Sequence, residues 1–172
     1  RVVVRPETHG ADVVVVEGAA GPIVKAFARE EKADVGSHPA FLTFTVRFPD
    51  GTSLDVATAR TETYARPGAL PTVRPATLAE DFARRDFAVN AMALRVPART
   101  LVDPNGGVED LIAQRLRTPA DPHVSFGDDP LRMLRAARFP AQLGFEVHAD
   151  VVAAMREQAE RLTSVSAERV RE

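Results

Sequence analysis

The sequence predicts a mixed α/β head running to about residue 119, followed by a helical neck. Three observations carry this. Short β-branched runs punctuated by Gly and Pro fill the first two thirds of the 172 residues. A four-valine block and an alternating stretch closed by Asp50-Gly51 read as strands. After Thr118 the pattern changes to segments with apolar residues at helical spacing, several opened by Asp or Ser.

Val2–Val4 reads as strand material from the outset. Within Ala11–Glu17 the four valines predict a buried strand, and Gly18 and Gly21-Pro22 punctuate the segment after it. Ile23–Lys32 has helical spacing. Phe41–Phe48 alternates as a half-buried strand does, Asp50-Gly51 supplies a hairpin turn, and Leu54–Thr58 returns as its partner. Thr61–Thr77, rich in Pro, Gly and Arg, predicts one long loop. Leu78–Arg84 predicts a short helix, and Phe87–Val96 and Arg99–Val102 further strands. Asp121–Phe126, Asp129–Leu143, Asp150–Leu162 and Ser166 onward predict helices, with Pro140 expected to kink or break the second of these at Phe139. The abrupt opening and ending read as those of a fragment, with residues 1–119 as head and 120–172 as the start of the neck.

The absence of cysteine excludes disulfides and Cys-based zinc sites, and suits a reducing compartment. The apolar fraction of 45% and charged fraction of 27% are those of an ordinary globule, and no apolar run is long enough for a membrane span. No signal peptide opens the chain, so the expected location is the cytoplasm. Oligomeric state is not readable. The net charge of −2 neither supports nor excludes a nucleic-acid partner, because a basic face can sit inside a neutral total. Only Lys25 and Lys32 are lysines among 22 basic residues, and arginine suits bidentate contact with phosphates and base edges. A compositional bias of the host would produce the same count.

Four groups of residues can carry chemistry. Asp12 enters the valine strand and Asp55 lies on the hairpin's return strand. Acids flanked by apolar residues are costly to bury unless paired, protonated or metal-bound, and two on neighbouring strands suit Mg²⁺. Solvated strand ends would also account for both. Arg84, Arg85, Asp86 and Asn90 cluster between a helix and a strand, where arginines suit a triphosphate and an Asn a ribose hydroxyl; a surface ion-pair cluster is the alternative. Asp103 with Gly106 and Gly107 marks a turn with close backbone approach or positive φ. Asp129 and Arg132, three apart, are expected on one face of a first helical turn, where a carboxylate and a guanidinium can read a base edge. Arg135 and Arg138 continue an arginine series that can follow phosphates. A helix-end charge pair and a solvated arginine face explain the same spacing.

The order of these motifs is more specific than any one of them. Asp55-Val-Ala-Thr-Ala-Arg-Thr-Glu-Thr-Tyr64, Pro67–Pro71, Arg84–Phe87 with Asn90–Leu94, Asp103–Leu111 and Asp128–Phe139 occur in sequence, followed by Leu143-Gly-Phe145 and Ser166-Ala-Glu-Arg169. In this the chain resembles the class II tRNA nucleotidyltransferases (CCA-adding enzymes) and bacterial poly(A) polymerases, strongly over 41–172 and loosely over 11–40. The resemblance implies a polymerase-β-like head with a mixed sheet and a helical neck. It implies transfer of CMP and AMP from CTP and ATP to the 3′ end of tRNA, assisted by two metal ions, usually Mg²⁺. Poly(A) addition, CC-only or A-only addition are variants within the same family. It casts Asp12 and Asp55 as catalytic metal ligands; Arg85, Asp86 and Asn90 as ribose and triphosphate contacts; Asp129 and Arg132 as the amino-acid template for the incoming base; Arg135 and Arg138 as phosphate contacts or neck braces; and Asp103, Gly106 and Gly107 as the head–neck coupling.

The sequence departs from that family at its start. The phosphate-cradling Gly-Gly or Gly-Ser turn has no match in Arg1–Gly10, and aligning Asp12 as the second member of the Asp-x-Asp pair puts Gly10 where the first should stand. The departure leaves open a second class of function, a nucleotide- or RNA-binding module without catalysis.

Overall fold

The computed structural model describes residues 2–5, 13–66 and 68–171. In chain order the elements are β1 (Val2–Arg5), β2 (Val13–Val16), α1 (Ala20–Glu30), β3 (Asp34–His38), β4 (Thr43–Arg47), β5 (Ser53–Thr58), β6 (Arg60–Thr63), β7 (Thr72–Pro75), α2 (Leu78–Ala83), β8 (Ala93–Val96) and β9 (Thr100–Val102). They continue as α3 (Gly107–Ile112), β10 (Arg115–Leu116), α4 (Pro122–Asp128), α5 (Leu131–Leu143), β11 (Glu146–Val147), α6 (Ala149–Gln158) and α7 (Ala167–Arg171), with 3₁₀ turns at Pro39–Phe41, Ala88–Asn90 and Ala159–Ser164. The mixed α/β class read from the sequence holds. The chain divides into two compact units that interleave in sequence: Arg1–Thr61, Val73–Asp81 and Ala93–Val102 form one, and Glu62–Thr72, Phe82–Met92 and Asp103–Glu172 the other.

The first unit is built on a seven-stranded sheet in the order β3-β4-β5-β2-β1-β8-β9. β2 and β5 run parallel and their neighbours antiparallel, so the sheet is mixed. The valine run is central in it, as a continuous apolar strand should be. Ala20, Val24 and Ala28, four residues apart along α1, bury one stripe against Val16, Val46 and Val56. Each such buried valine contributes roughly 1.5–3 kcal/mol. α1 starts three residues before the expected Ile23, because Pro22 tolerates the first turn, where its missing N–H is not needed. The hairpin forms at the expected place: Gly51 takes φ +85°, and the Asp50 carboxylate accepts from the Thr52 amide and hydroxyl. This turn sets the register that puts Thr45 opposite Asp55.

The second unit packs Phe87, Leu116, Phe126, Met133, Ala136, Val151 and Ala154 into its own core. Four expectations are corrected by the structure. Thr61–Thr77 is not one loop, since β6 and β7 pair as a small sheet rich in β-branched Thr and Val, leaving 64–71 as the connection. Phe87–Val96 is strand only from Ala93; residues 88–90 turn because the Asp86 carboxylate accepts from the Phe87 amide and the Asn90 side chain. Pro140 does not break α5, which continues to Leu143 and ends at Gly144 in the left-handed region, whose amide donates to the Pro140 carbonyl. Proline's φ fits a helix, and burial of Met133 and Ala136 holds the preceding turns. Asp129 is not in the first turn of α5: its backbone is extended (φ −136°, ψ 101°), because a residue before proline is driven out of the α region.

Candidate active site

In the sheet unit, Asp55 is half-buried on β5 and its Oδ1 accepts from the Thr45 hydroxyl at 2.7 Å across the β4–β5 pair. Its parallel neighbour on β2 is Val13. Asp12, the other acid expected on a strand, lies outside the described residues. Mg²⁺ takes six oxygens in a strict octahedron. Among the described residues no group of three or more His, Asp or Glu side chains could hold a metal ion. Asp55, with one oxygen engaged by Thr45, therefore does not by itself make a metal centre.

The other sequence-predicted residues fall in the second unit. Asp86 is a junction: besides its bonds to Phe87 and Asn90 it receives Arg135 Nη2 on Oδ2 at 2.7 Å. Arg135 also lies over the Phe139 ring at 5.3 Å, and Phe139 packs on Phe87. Arg135 thus braces α5 against the Asp86 turn. The Arg138 guanidinium lies 5.8 Å from the centroid of the same Phe139 ring. Arg85 lies over Phe82 and donates to the Asn90 carbonyl at 3.2 Å, while Arg84 pairs with Glu62 at 2.8 Å.

Asp103 caps α3, accepting from the Gly107 amide at 2.7 Å and the Val108 amide at 2.9 Å. The two glycines meet different demands. Gly106 takes φ +71°, and Gly107 is pressed so close to the Ala88 carbonyl that a Cβ would lie 2.3 Å from its oxygen.

Asp129 and Arg132 flank the start of α5. Arg132 is 8% exposed, and its Nη1 donates to the Ser125 hydroxyl at 2.9 Å. Asp129 accepts from the Leu131 amide on Oδ1 and from Arg169 Nη2, at 3.1 Å, on Oδ2. Tyr64, the only tyrosine, donates to Glu62 at 2.7 Å. Burial pushes its phenol far above the usual range, and the Glu62 hydrogen bond and charge add to this; Arg132 and Asp129 lie near enough to act on it in opposite directions. Glu62, Tyr64, Ser125 and Arg169 complete this cluster, and sequence reasoning assigns none of them a role. Glu62, Tyr64 and Arg169 lie inside the ordered motifs, whereas Ser125 carries no sequence signal.

Residues 2–117 match the poly A polymerase head domain family. Residues 144–172 match a probable RNA- and SrmB-binding site of polymerase A. An A-adding tRNA nucleotidyltransferase from Aquifex aeolicus is 46% identical over 136 residues, which is 77% of this chain and 16% of that protein. A CCA-adding enzyme from Lacticaseibacillus paracasei is 43% identical over 124 residues, 70% of this chain and 30% of the relative. The solved apo form II of a CCA-adding enzyme superposes with a TM-score of 0.89 at 29% identity, covering 99% of this chain and 43% of that one. The chain therefore spans less than half the length of each of these proteins.

Proposed function

This chain belongs to the poly(A) polymerase head-domain family, and on that premise we propose that it carries template-independent transfer of CMP and AMP from CTP and ATP to the 3′ end of tRNA. The observation that carries the reading is the pre-oriented pair at the start of α5. Arg132 is buried with one end fixed by Ser125, and Asp129 is held at both oxygens. Fixed donors and acceptors select among bases because a mismatched partner leaves a buried polar group unpaired.

In this reading Asp55 supplies the reactive-centre carboxylate of the head together with Asp12. Arg85, Asp86 and Asn90 handle ribose and triphosphate, and Arg138 meets phosphate. Arg135, already committed to Asp86, serves as a brace. Asp103, Gly106 and Gly107 join a head ending near residue 119 to the neck. Divalent metal, Mg²⁺ by preference, remains a proposal from the family. So does a cytoplasmic location, since among the described residues no helix is long and apolar enough to cross a membrane and nothing more follows from that.

The test is incorporation of CTP and ATP, separately and together, into tRNA lacking its terminal CCA, using the intact protein. Stepwise addition of three nucleotides supports the reading. CTP alone or ATP alone would assign a CC- or A-adding variant, and long A tracts a poly(A) polymerase. A second reading, a nucleotide- or RNA-binding module without catalysis, is favoured by the unmatched first member of the Asp-x-Asp pair; it predicts nucleotide binding with no incorporation.

A further inference from the structure

We infer that Thr45 is a positioning residue for the Asp55 carboxylate: its hydroxyl fixes one oxygen and leaves the other presented to the reacting groups. The inference rests on the reacting-centre role proposed for Asp55. Thr45 lies on β4, and its Oγ1 donates to Asp55 Oδ1 at 2.7 Å across the β4–β5 pair. Among the described residues Oδ2 accepts no hydrogen bond. The terminal torsion of an aspartate is broad and roughly two-fold, so an unheld carboxylate turns easily. One hydroxyl on Oδ1 selects a single orientation and leaves the charge in place. Both side chains are half-buried, so the bond meets less competition from water than one on an open surface.

The sheet places the hydroxyl in two ways. Phe44 and Val46 on β4, and Leu54 and Val56 on β5, join the core under α1, which turns Thr45 and Asp55 together to the opposite face. The Asp50-Gly51 hairpin then makes Thr45 and Asp55 direct partners, and a slip of one residue would carry the hydroxyl to the wrong face. On its other side Thr45 is paired with Gly36 of β3. Gly36 has no side chain to compete for the hydroxyl. The Arg47 guanidinium lies over it instead, so close that a Cβ there would stand 3.1 Å from Nη1. The row from β3 to β5 thus brings Asp55 a neutral donor and holds the neighbouring cation over β3. The branched Cβ of Thr45 restricts χ1, so the hydroxyl is itself held in place. Valine has the same shape without the donor, and serine keeps the donor without the branching.

The experiment compares intact protein carrying T45V, T45S or D55A with the parent. It measures kcat and KM for CTP addition to tRNA lacking its terminal CCA, the thermal midpoint, and the ¹³C signal of the Asp55 carboxyl, assigned by its loss in D55A. T45V is expected to lower kcat about tenfold, the scale of one hydrogen bond to a charged group, with KM for CTP little changed. Its carboxyl signal should shift, and its thermal midpoint should hold, because valine suits a strand. T45S should recover most of the kcat loss and return the signal toward that of the parent. Where T45V does not fold, T45A carries the same test. An unchanged kcat in T45V, with transfer lost in D55A, overturns the Thr45 inference and leaves the role of Asp55 standing. Transfer retained in D55A overturns that role, and the inference with it, as does a parent that incorporates nothing. A kcat loss in T45V that T45S does not relieve, matched by a fall in the thermal midpoint, would make Thr45 a structural residue only and also overturn the inference.

Discussion

Asp55 in the sheet unit and Asp129 in the helical unit are both half-buried acids, and they are held in opposite ways. Asp55 meets a neutral hydroxyl from the neighbouring strand. Asp129 meets a guanidinium, as do Asp86 and Asp110 in the same unit. A hydroxyl orients a carboxylate without neutralising it. A guanidinium does both, and commits the acid to architecture or to presenting a fixed edge. The sheet unit thus keeps an acid suited to cations, while the helical unit uses its acids to fix positions.

The largest test of this contrast is Asp55→Ala. Transfer should fall by about a thousandfold or more, the scale for removing a group that acts at the reacting centre, while the thermal midpoint moves little. Losing a half-buried acid with one neutral partner costs the fold little. Retained activity would remove Asp55 from the chemistry and leave the two units alike.

Gly107→Ala should give the opposite pattern. The new methyl would meet the Ala88 carbonyl oxygen at 2.3 Å, a backbone atom that cannot swing aside. We expect a loss of roughly 2–4 kcal/mol in folding stability, read from the denaturant midpoint. The Ala88–Asn90 turn carries Asn90 and follows Asp86, so nucleotide affinity should fall with it. A variant as stable as the parent would show that α3 can shift, and that Gly107 serves only the chain's path.

Residues that act through near neighbours in sequence are readable from it; those defined by distant partners are not. The four valines, the Asp50-Gly51 turn and the motif order from Asp55 to Arg138 are local, and the sheet and the site region follow from them. β3 has no sequence signal because Asp34–His38 holds one β-branched residue and is a strand through its pairing with β4. The extended backbone of Asp129 is readable in principle from Pro130. The contacts of Arg169 with Asp129 and the Gly68 carbonyl are not, because those partners lie 40 and 101 residues away.

The smallest effect expected is a pH dependence confined to the helical unit. Within it His123, of the residue type that ordinarily titrates near neutrality, sits between two carboxylates. Its Nε2 lies 2.8 Å from Glu157 Oε2 and its Nδ1 3.5 Å from Asp121 Oδ1, joining the start of α4 to the end of α6. The Glu157 hydrogen bond raises its pKa, overcoming some desolvation, and the Glu157 and Asp121 charges add to the rise. A base whose pKa is higher folded than unfolded stabilises the fold fully below the unfolded value, about 6.5, and loses that stabilisation as pH rises through the folded value. The pair is exposed, so the change should be small and weakened by salt. Glu157→Gln should lower the His123 titration midpoint, followed by NMR, and flatten the thermal midpoint across about pH 6 to 8. Arg115, whose pKa the Asp110 hydrogen bond raises further, keeps its charge throughout that interval. A His123 midpoint unmoved by Glu157→Gln would mean that the α4–α6 link does not depend on charge, and that arginine alone accounts for the fixed acids of this unit.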